Sequence, residues 1–359
     1  LQQKKKIKLL VLIPTLQCGG SEKYVSMLCN NIDATAFDVT LIVVNNEKQF
    51  YHISNTAVEV IDLKTKKVRN ALFAIRKIIN NKRPDLIFSA ASHINLMMAM
   101  FQWSFSGKIK IVAREASLVS SNIKDAKLPG IYKVLAKRYY KRLDHIICQS
   151  AAMQKDLVNN FAVAENKTTV VHNPVEAGTV IPVTGNKLYK FITVARLSAE
   201  KGIDRIIKAL SLVDLPYQYY IIGDGNEKVS LQQIVNASGL NDKIFFTGLK
   251  EIPFSGMQDA DLFLFGSYYE GFPNAVLEAI ACGIPVVTFD MPGGIKEIIT
   301  DGINGLLVKD DEFKSFASAV EKALSMPFNR KQVSEQALQK FSIPKIIKKV
   351  EEVLSDLVK

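Results

Sequence analysis

What most constrains this chain is a rhythm. Short, apolar, β-branched runs of strand length alternate with longer amphipathic segments. In the first round the strand-like runs are 7–14, 38–44, 58–63, 86–89, 109–113, 145–149 and 168–172. Helical spacing occupies the intervals between most of them, at 22–31, 68–80, 96–101, 129–142 and 151–159. Runs that are apolar throughout belong to strands covered on both faces. Their alternation with helices predicts a mostly parallel sheet with helices on both sides.

The rhythm pauses at Asn173-Pro174 and restarts after Leu188, with strand-like runs at 191–195, 219–222, 244–247, 262–265, 285–289 and 306–308. The interval 173–187 holds two prolines and two glycines and reads as a linker. The expected fold class is therefore α/β, two Rossmann-like parallel-sheet domains facing a central cleft, over residues 1–172 and 188–335. Residues 336–359 close the chain as a helix with Ile346, Ile347, Val350, Val353, Leu354 and Leu357 on one side, and packing back on the first domain is one option. A length of 359 residues gives each domain its own core. No apolar run reaches the roughly 18 residues that span a bilayer. The basic start and the short run after it do not read as a signal peptide. Cys18, Cys29, Cys148 and Cys282 are widely separated, which favours a reducing cytoplasm over a disulfide or zinc framework.

Charge separates the two halves. The chain carries 46 Lys plus Arg against 35 Asp plus Glu, net +11. Residues 1–172 hold 26 and 12, net +14, whereas residues 173–359 hold 20 and 23, net −3. The first half is thus matched to nucleic acid or to a membrane surface, or else is a lysine-rich solvated surface. In 129–142, Tyr132, Tyr139 and Tyr140 stand among Lys133, Lys137, Arg138, Lys141 and Arg142, a mixture that suits the interface of an anionic bilayer. The alternative is a solvated helix packed through Ile131, Val134 and Leu135. No RNA- or DNA-binding motif accompanies the charge, so no nucleic-acid partner is expected.

Three turns carry candidate chemistry. Gly19-Gly20-Ser21-Glu22 follows the first strand and opens a helix, where backbone N–H groups either approach a phosphate or simply make a turn. After the strand 191–195, Arg196 and Lys201 are placed to bracket a diphosphate, or are two solvated loop cations. Gly223-Asp224-Gly225 is a similar backbone turn. The densest block is Ser267-Tyr268-Tyr269-Glu270-Gly271-Phe272-Pro273-Asn274-Ala275-Val276-Leu277-Glu278-Ala279. Pro273 suits the first position of a helix, with Glu270 in the loop before it. Glu278 interrupts an apolar helical face and needs partners, either ligand hydroxyls or a neighbouring cation.

The block from Glu270 to Glu278 resembles the Glu, seven residues, Glu signature of retaining GT-B glycosyltransferases, and its surroundings are similar to glycosyltransferase family 4. Gly19 to Glu22, His172-Asn173-Pro174-Val175, Ala195 to Gly202, Gly223 to Gly225 and Gly302 to Val308 follow in the family's order, over nearly the whole chain. The resemblance implies transfer of a hexose or N-acetylhexosamine from a nucleoside diphosphate sugar, chiefly a UDP-sugar, to a lipid-linked or cell-envelope glycan acceptor. Arg196 and Lys201 would hold the donor diphosphate and stabilise its growing charge. Glu278 would meet the ribose and Glu270 the transferred sugar, with Gly271, Phe272, Pro273 and Asn274 assisting. Gly19, Gly20 and Gly225 would approach the phosphates, and residues 248–252 would line the base pocket.

No protein nucleophile, metal or other cofactor is implied, and the domains would close about 173–187 to exclude water. Ala116 stands where many relatives have a His, which leaves Glu115 or Ser117 as the acceptor-facing group; His93 and His172 read as structural. The expected location is the inner face of the cell membrane. A nucleotide-sugar epimerase on the same scaffold, or a two-lobed sugar-binding protein, are the alternatives.

Overall fold

In the computed structural model the described residues are 5–124, 128–182, 188–250, 254–255 and 258–359, with the side chain of residue 124 excluded. The chain divides into two compact units, Leu1–Pro174 with Ile343–Lys359, and Val175–Ser342.

The first unit contains β1 (Ile7–Ile13), α1 (Gly20–Asn31), β2 (Phe37–Val43), β3 (Glu59–Asp62), α2 (Val68–Lys82), β4 (Leu86–Ser89) and α3 (Ser92–Phe101). It continues with β5 (Lys110–Arg114), α4 (Val119–Lys124), α5 (Pro129–Tyr139), β6 (His145–Cys148), α6 (Ala151–Phe161) and β7 (Thr168–Val170). Its seven strands are all parallel, in the order β3-β2-β1-β4-β5-β6-β7. The apolar runs are buried as their composition requires: Leu9, Leu10, Val11, Leu12 and Ile13 are all at most 1% exposed.

The second unit contains β8 (Tyr189–Val194), α7 (Ile203–Leu210), β9 (Tyr217–Ile222), α8 (Lys228–Ala237), β10 (Ile244–Gly248) and β11 (Leu262–Phe265). It ends with α9 (Asn274–Ala281), β12 (Val286–Phe289), α10 (Ile295–Ile298), β13 (Gly305–Val308), α11 (Phe313–Ser325) and α12 (Arg330–Phe341). Its six parallel strands run in the order β10-β9-β8-β11-β12-β13.

The sheet of the first unit has a helical layer on both faces. Buried side chains of α2, α3, α4, α5 and α6 pack on one face. On the other, α1 packs with α13 (Ile343–Asp356), which buries Ile346, Ile347, Val350 and Leu354. Its Glu351 accepts a hydrogen bond from the Asp33 backbone N–H at 2.7 Å. Among the described residues, no helix is long and apolar enough to cross a membrane.

Two local expectations need correction. Pro273 is the N-cap of α9, and the helix starts at Asn274. Its ψ of 98° is extended, so its carbonyl accepts from Leu277 at 3.2 Å while the residue stays outside the helix. The helix expected over 129–142 stops at Tyr139 and tightens into a 3-10 turn, Tyr140–Arg142. Ile131 and Val134 do not pack: they are 56% and 66% exposed. Ala136 and Tyr140 face the core, with Tyr132, Leu135 and Tyr139 against it. The Tyr140 hydroxyl finds a buried acceptor in Glu115 at 2.8 Å, which fixes the tyrosine face inward.

Candidate active site

In the second sheet the chain runs outward from β8 through β9 to β10, then returns to β11 and runs the other way. The loops after β8 and β11 therefore leave adjacent strands toward opposite sides, which opens a crevice at the carboxyl ends of the strands. The two loops meet there. Lys201 Nζ lies 2.5 Å from Glu270 Oε1, with 20% and 18% of the two side chains exposed. Ser267 donates its hydroxyl to the same oxygen at 3.0 Å, and the Tyr268 N–H donates to the Glu200 carbonyl at 2.9 Å.

Glycine is what allows this approach. Gly202, at φ +55°, ends the 3-10 turn Ala199–Lys201, and a Cβ there would lie 2.1 Å from the Gly266 carbonyl oxygen. Gly293, at φ +127°, sits on the other side of Glu270, whose carbonyl oxygen would be 1.6 Å from a Cβ. The Glu270 N–H donates to the Pro292 carbonyl at 3.1 Å. The Pro-Gly-Gly run 292–294, a turn signal between strand and helix, marked this loop in the sequence but was not read as part of the site.

Arg196 is farther out, with 71% of its side chain exposed and its Nη2 2.7 Å from Glu200. Burial pushes the Glu200 carboxyl up, but the Ser198 hydroxyl and the Arg196 guanidinium outweigh it and hold it below the usual carboxylate range. An exposed pair of this kind contributes at most about 1 kcal/mol, so Arg196 is easily transferred to a stronger anion. The Gly225 turn is tied to the same loop, since Leu197 donates to the Asp224 carbonyl and Glu227 to the Leu197 carbonyl. Gly271, Phe272 and Pro273 are buried; Asn274 and Glu278 are half-buried on α9, while Val276, Leu277, Ala279 and Ile280 are buried around them. Gly248 ends β10, and residues 251 and 252 of the expected base pocket lie outside the described residues, as do residues 183–187 of the expected linker.

Arg205 was not anticipated. It is fully buried on α7, donating from Nε to the Gly266 carbonyl and from Nη2 to the Ser267 carbonyl. Its Nη1 reaches Asp310 and Asp311 at 2.5 and 3.1 Å. The Tyr268 and Phe289 rings lie 4.2 and 4.1 Å from its Cζ. One guanidinium therefore anchors the start of the loop that carries Glu270.

In the first unit, Gly19 caps α1 and Gly20 begins it. Glu22 accepts from the Thr15 hydroxyl at 3.2 Å, and burial raises its carboxyl. Arg114 lies 3.6 Å over the Tyr24 ring and donates to Asn173. Burial pulls its guanidinium down to about 10.

Glu115, expected to face the acceptor, is buried within the first unit. It is 1% exposed, and Asn95 (2.6 Å) and Ser92 (2.7 Å) on α3 and Tyr140 (2.8 Å) in the turn after α5 donate to its carboxylate. Ser117 is half-buried. Burial raises the Glu115 carboxyl above its ordinary 4.5, against the lowering effect of those three donors and Arg114. The fold thus favours the protonated form. That contribution is present below 4.5 and is lost as pH rises through the raised value. Glu115→Gln is accordingly expected to turn over at close to the wild-type rate, and to gain stability relative to wild type from acid to neutral pH. Glu115→Ala, which strands three donors, should cost about 2–3 kcal/mol in urea unfolding. A folded but inactive Gln variant would restore a direct role for this carboxylate.

Around α5, Lys133, Lys137, Arg138, Lys141 and Arg142 are all exposed, and Tyr139 is half-buried with the Arg142 guanidinium 4.8 Å over its ring.

Known proteins share both the sequence pattern and the fold. Residues 18–178 match the glycosyltransferase family 4 model, and residues 181–340 match glycosyl transferases group 1. An uncharacterized glycosyltransferase of Methanocaldococcus jannaschii is 28% identical over 66% of this chain, which spans 63% of that protein. The N-acetylgalactosamine-N,N'-diacetylbacillosaminyl-diphospho-undecaprenol 4-alpha-N-acetylgalactosaminyltransferase of Campylobacter jejuni is 27% identical over 92% of this chain and 93% of its own. HepE of Anabaena, in a crystal structure with UDP-glucose, has a TM-score of 0.79 at 20% identity, covering 98% of this chain and all of that one. Both Rossmann-like halves are thus matched in order, and the chain belongs to glycosyltransferase family 4, on the GT-B fold.

Proposed function

We propose that this protein is a retaining glycosyltransferase that moves a hexose or N-acetylhexosamine from a UDP-sugar to a lipid-linked glycan acceptor at a membrane surface. The observation that carries the reading is the Lys201–Glu270 pair at the carboxyl ends of β8 and β11. A cation and a carboxylate already in contact are what a diphosphate and its sugar would separate, the phosphate drawing Lys201 and a sugar hydroxyl donating to Glu270. Arg196 would turn from Glu200 to the same diphosphate, and the two cations would take the charge that develops on the leaving group. The N–H groups at the start of α9 would add a favourable dipole. Glu278, lower on α9, would accept from ribose hydroxyls.

The donor class is supported by the fold shared with a protein solved with UDP-glucose, and the acceptor class by the Campylobacter relative's named diphospho-undecaprenol substrate. Exposed cations beside Ile131 and Val134 on α5 support peripheral binding to an anionic membrane.

Thermal protection tests the donor site. A UDP-sugar at 100 times its Kd should stabilise the fold by about 2.7 kcal/mol, and Arg196→Ala should lose most of that while melting normally without ligand. Protection by none of the UDP, GDP or ADP sugars would sink the reading.

A further inference from the structure

Two of the largest side chains in the first unit face outward: Phe73 on α2 is 79% exposed, and Trp103, just after α3, is 78% exposed. Two hydrogen bonds tie the segments that carry them together. Arg76, one turn beyond Phe73, donates from Nε to the Ser104 carbonyl at 3.1 Å, and Ser106 donates its N–H to Asn80 Oδ1 at 3.0 Å. Phe73, Arg76 and Lys77 share a helical face through their i, i+3 and i+4 spacing. The result is an aromatic and cationic patch on the helix layer that also contains α5.

The stretch that carries the patch is strongly basic, with Asp144, held by Gln102 and Lys110, just beyond its end. Residues 63–143 hold 18 Lys plus Arg and three Asp plus Glu, net +15. Of those three carboxylates, Asp85 accepts from the Lys8 backbone N–H, Glu115 is buried, and Asp125 lies outside the described residues. A water-exposed tryptophan and phenylalanine within such a field match the headgroup region of an anionic bilayer, where aromatic rings bury their bodies and cations meet lipid phosphates.

We infer that Phe73 and Trp103 are the inserting anchor of this layer on an anionic membrane, with Arg76 and Lys77 at the headgroups beside them. The inference rests on the membrane reading given above and assigns the inserting contact to α2 and the turn after α3 instead of to α5 alone. A second copy of the chain is a poorer occupant, because two such positive faces would repel.

The chain has one tryptophan, so its emission reports this site directly. With the full chain and vesicles of phosphatidylglycerol and phosphatidylcholine, Trp103 emission should move to shorter wavelength and be quenched by brominated acyl chains. Vesicles of phosphatidylcholine alone should do much less. Phe73→Ser, which keeps the reporter, should weaken partitioning about tenfold. Sedimentation with vesicles but no change in Trp103 emission would overturn the anchor and leave the membrane reading to α5. No sedimentation at low salt would overturn both. A shift on raising protein concentration without lipid would overturn the anchor and assign the patch to a second copy.

Discussion

Lys201→Met is expected to lower turnover by about 10²- to 10³-fold, the usual loss when one charge-stabilising group is removed from a transition state. The fold should survive, because Lys201 is one-fifth exposed and ends a short turn that Gly202 shapes independently. The change strands Glu270 with the Ser267 hydroxyl as its remaining side-chain donor in the apo protein, at a local cost. Steady-state kinetics separate the two roles Lys201 could have. If it only holds ground-state diphosphate, KM for the donor rises and kcat stays; if it also meets the charge of the departing diphosphate, kcat falls. Unchanged kcat/KM would remove Lys201 from the site altogether. A Lys201→Met, Glu270→Gln double variant asks a further question, since an effect equal to that of the single Lys201 change would make Glu270 merely its counterion.

Arg205→Met should have the largest effect on stability, about 3–5 kcal/mol by urea unfolding. Methionine fills much of the volume, but the Gly266 and Ser267 carbonyls lose their donors. Asp310 and Asp311, 43% and 64% exposed, can return to water, so the carbonyls and the two stacked rings dominate the loss. Arg205→Lys distinguishes anchoring from support alone. A single ammonium cannot span two carbonyls and two carboxylates, so the loop bearing Glu270 should loosen. Catalysis should then fall by more than the change in melting explains, with kcat reduced at temperatures where the variant is fully folded. A lysine variant that melts and turns over as wild type would refute the anchoring role.

These two residues show how far the sequence could be read. Buried parallel strands print their burial as continuous apolar runs, which is why central strands such as β1, β4, β11 and β12 were legible in the sequence. Glu270 was legible because it lies in a compact block with Gly271, Pro273 and Glu278. Its contact with Lys201 spans 69 positions and depends on which strands are neighbours, which spacing does not encode. Arg205 carries no local signal, because its carbonyl partners come 61 and 62 residues later. Glu115 misled for the opposite reason: a carboxylate after a strand reads as facing a ligand, and its donors Ser92, Asn95 and Tyr140 sit on other elements. The outward turn of Ile131 and Val134 was hidden likewise, because three tyrosines competed for the same core.

The return of α13 to the first unit also has a consequence for how the protein is made. The second unit is a 168-residue insertion, Val175–Ser342, in the chain of the first. During synthesis the α1 face of the first sheet must therefore wait for its covering helix until the whole insertion has been translated. At about 5–20 residues per second that interval is roughly 8–34 s. Nascent chains ending before α13 would then carry an exposed apolar surface, and should engage chaperones more than chains released after it.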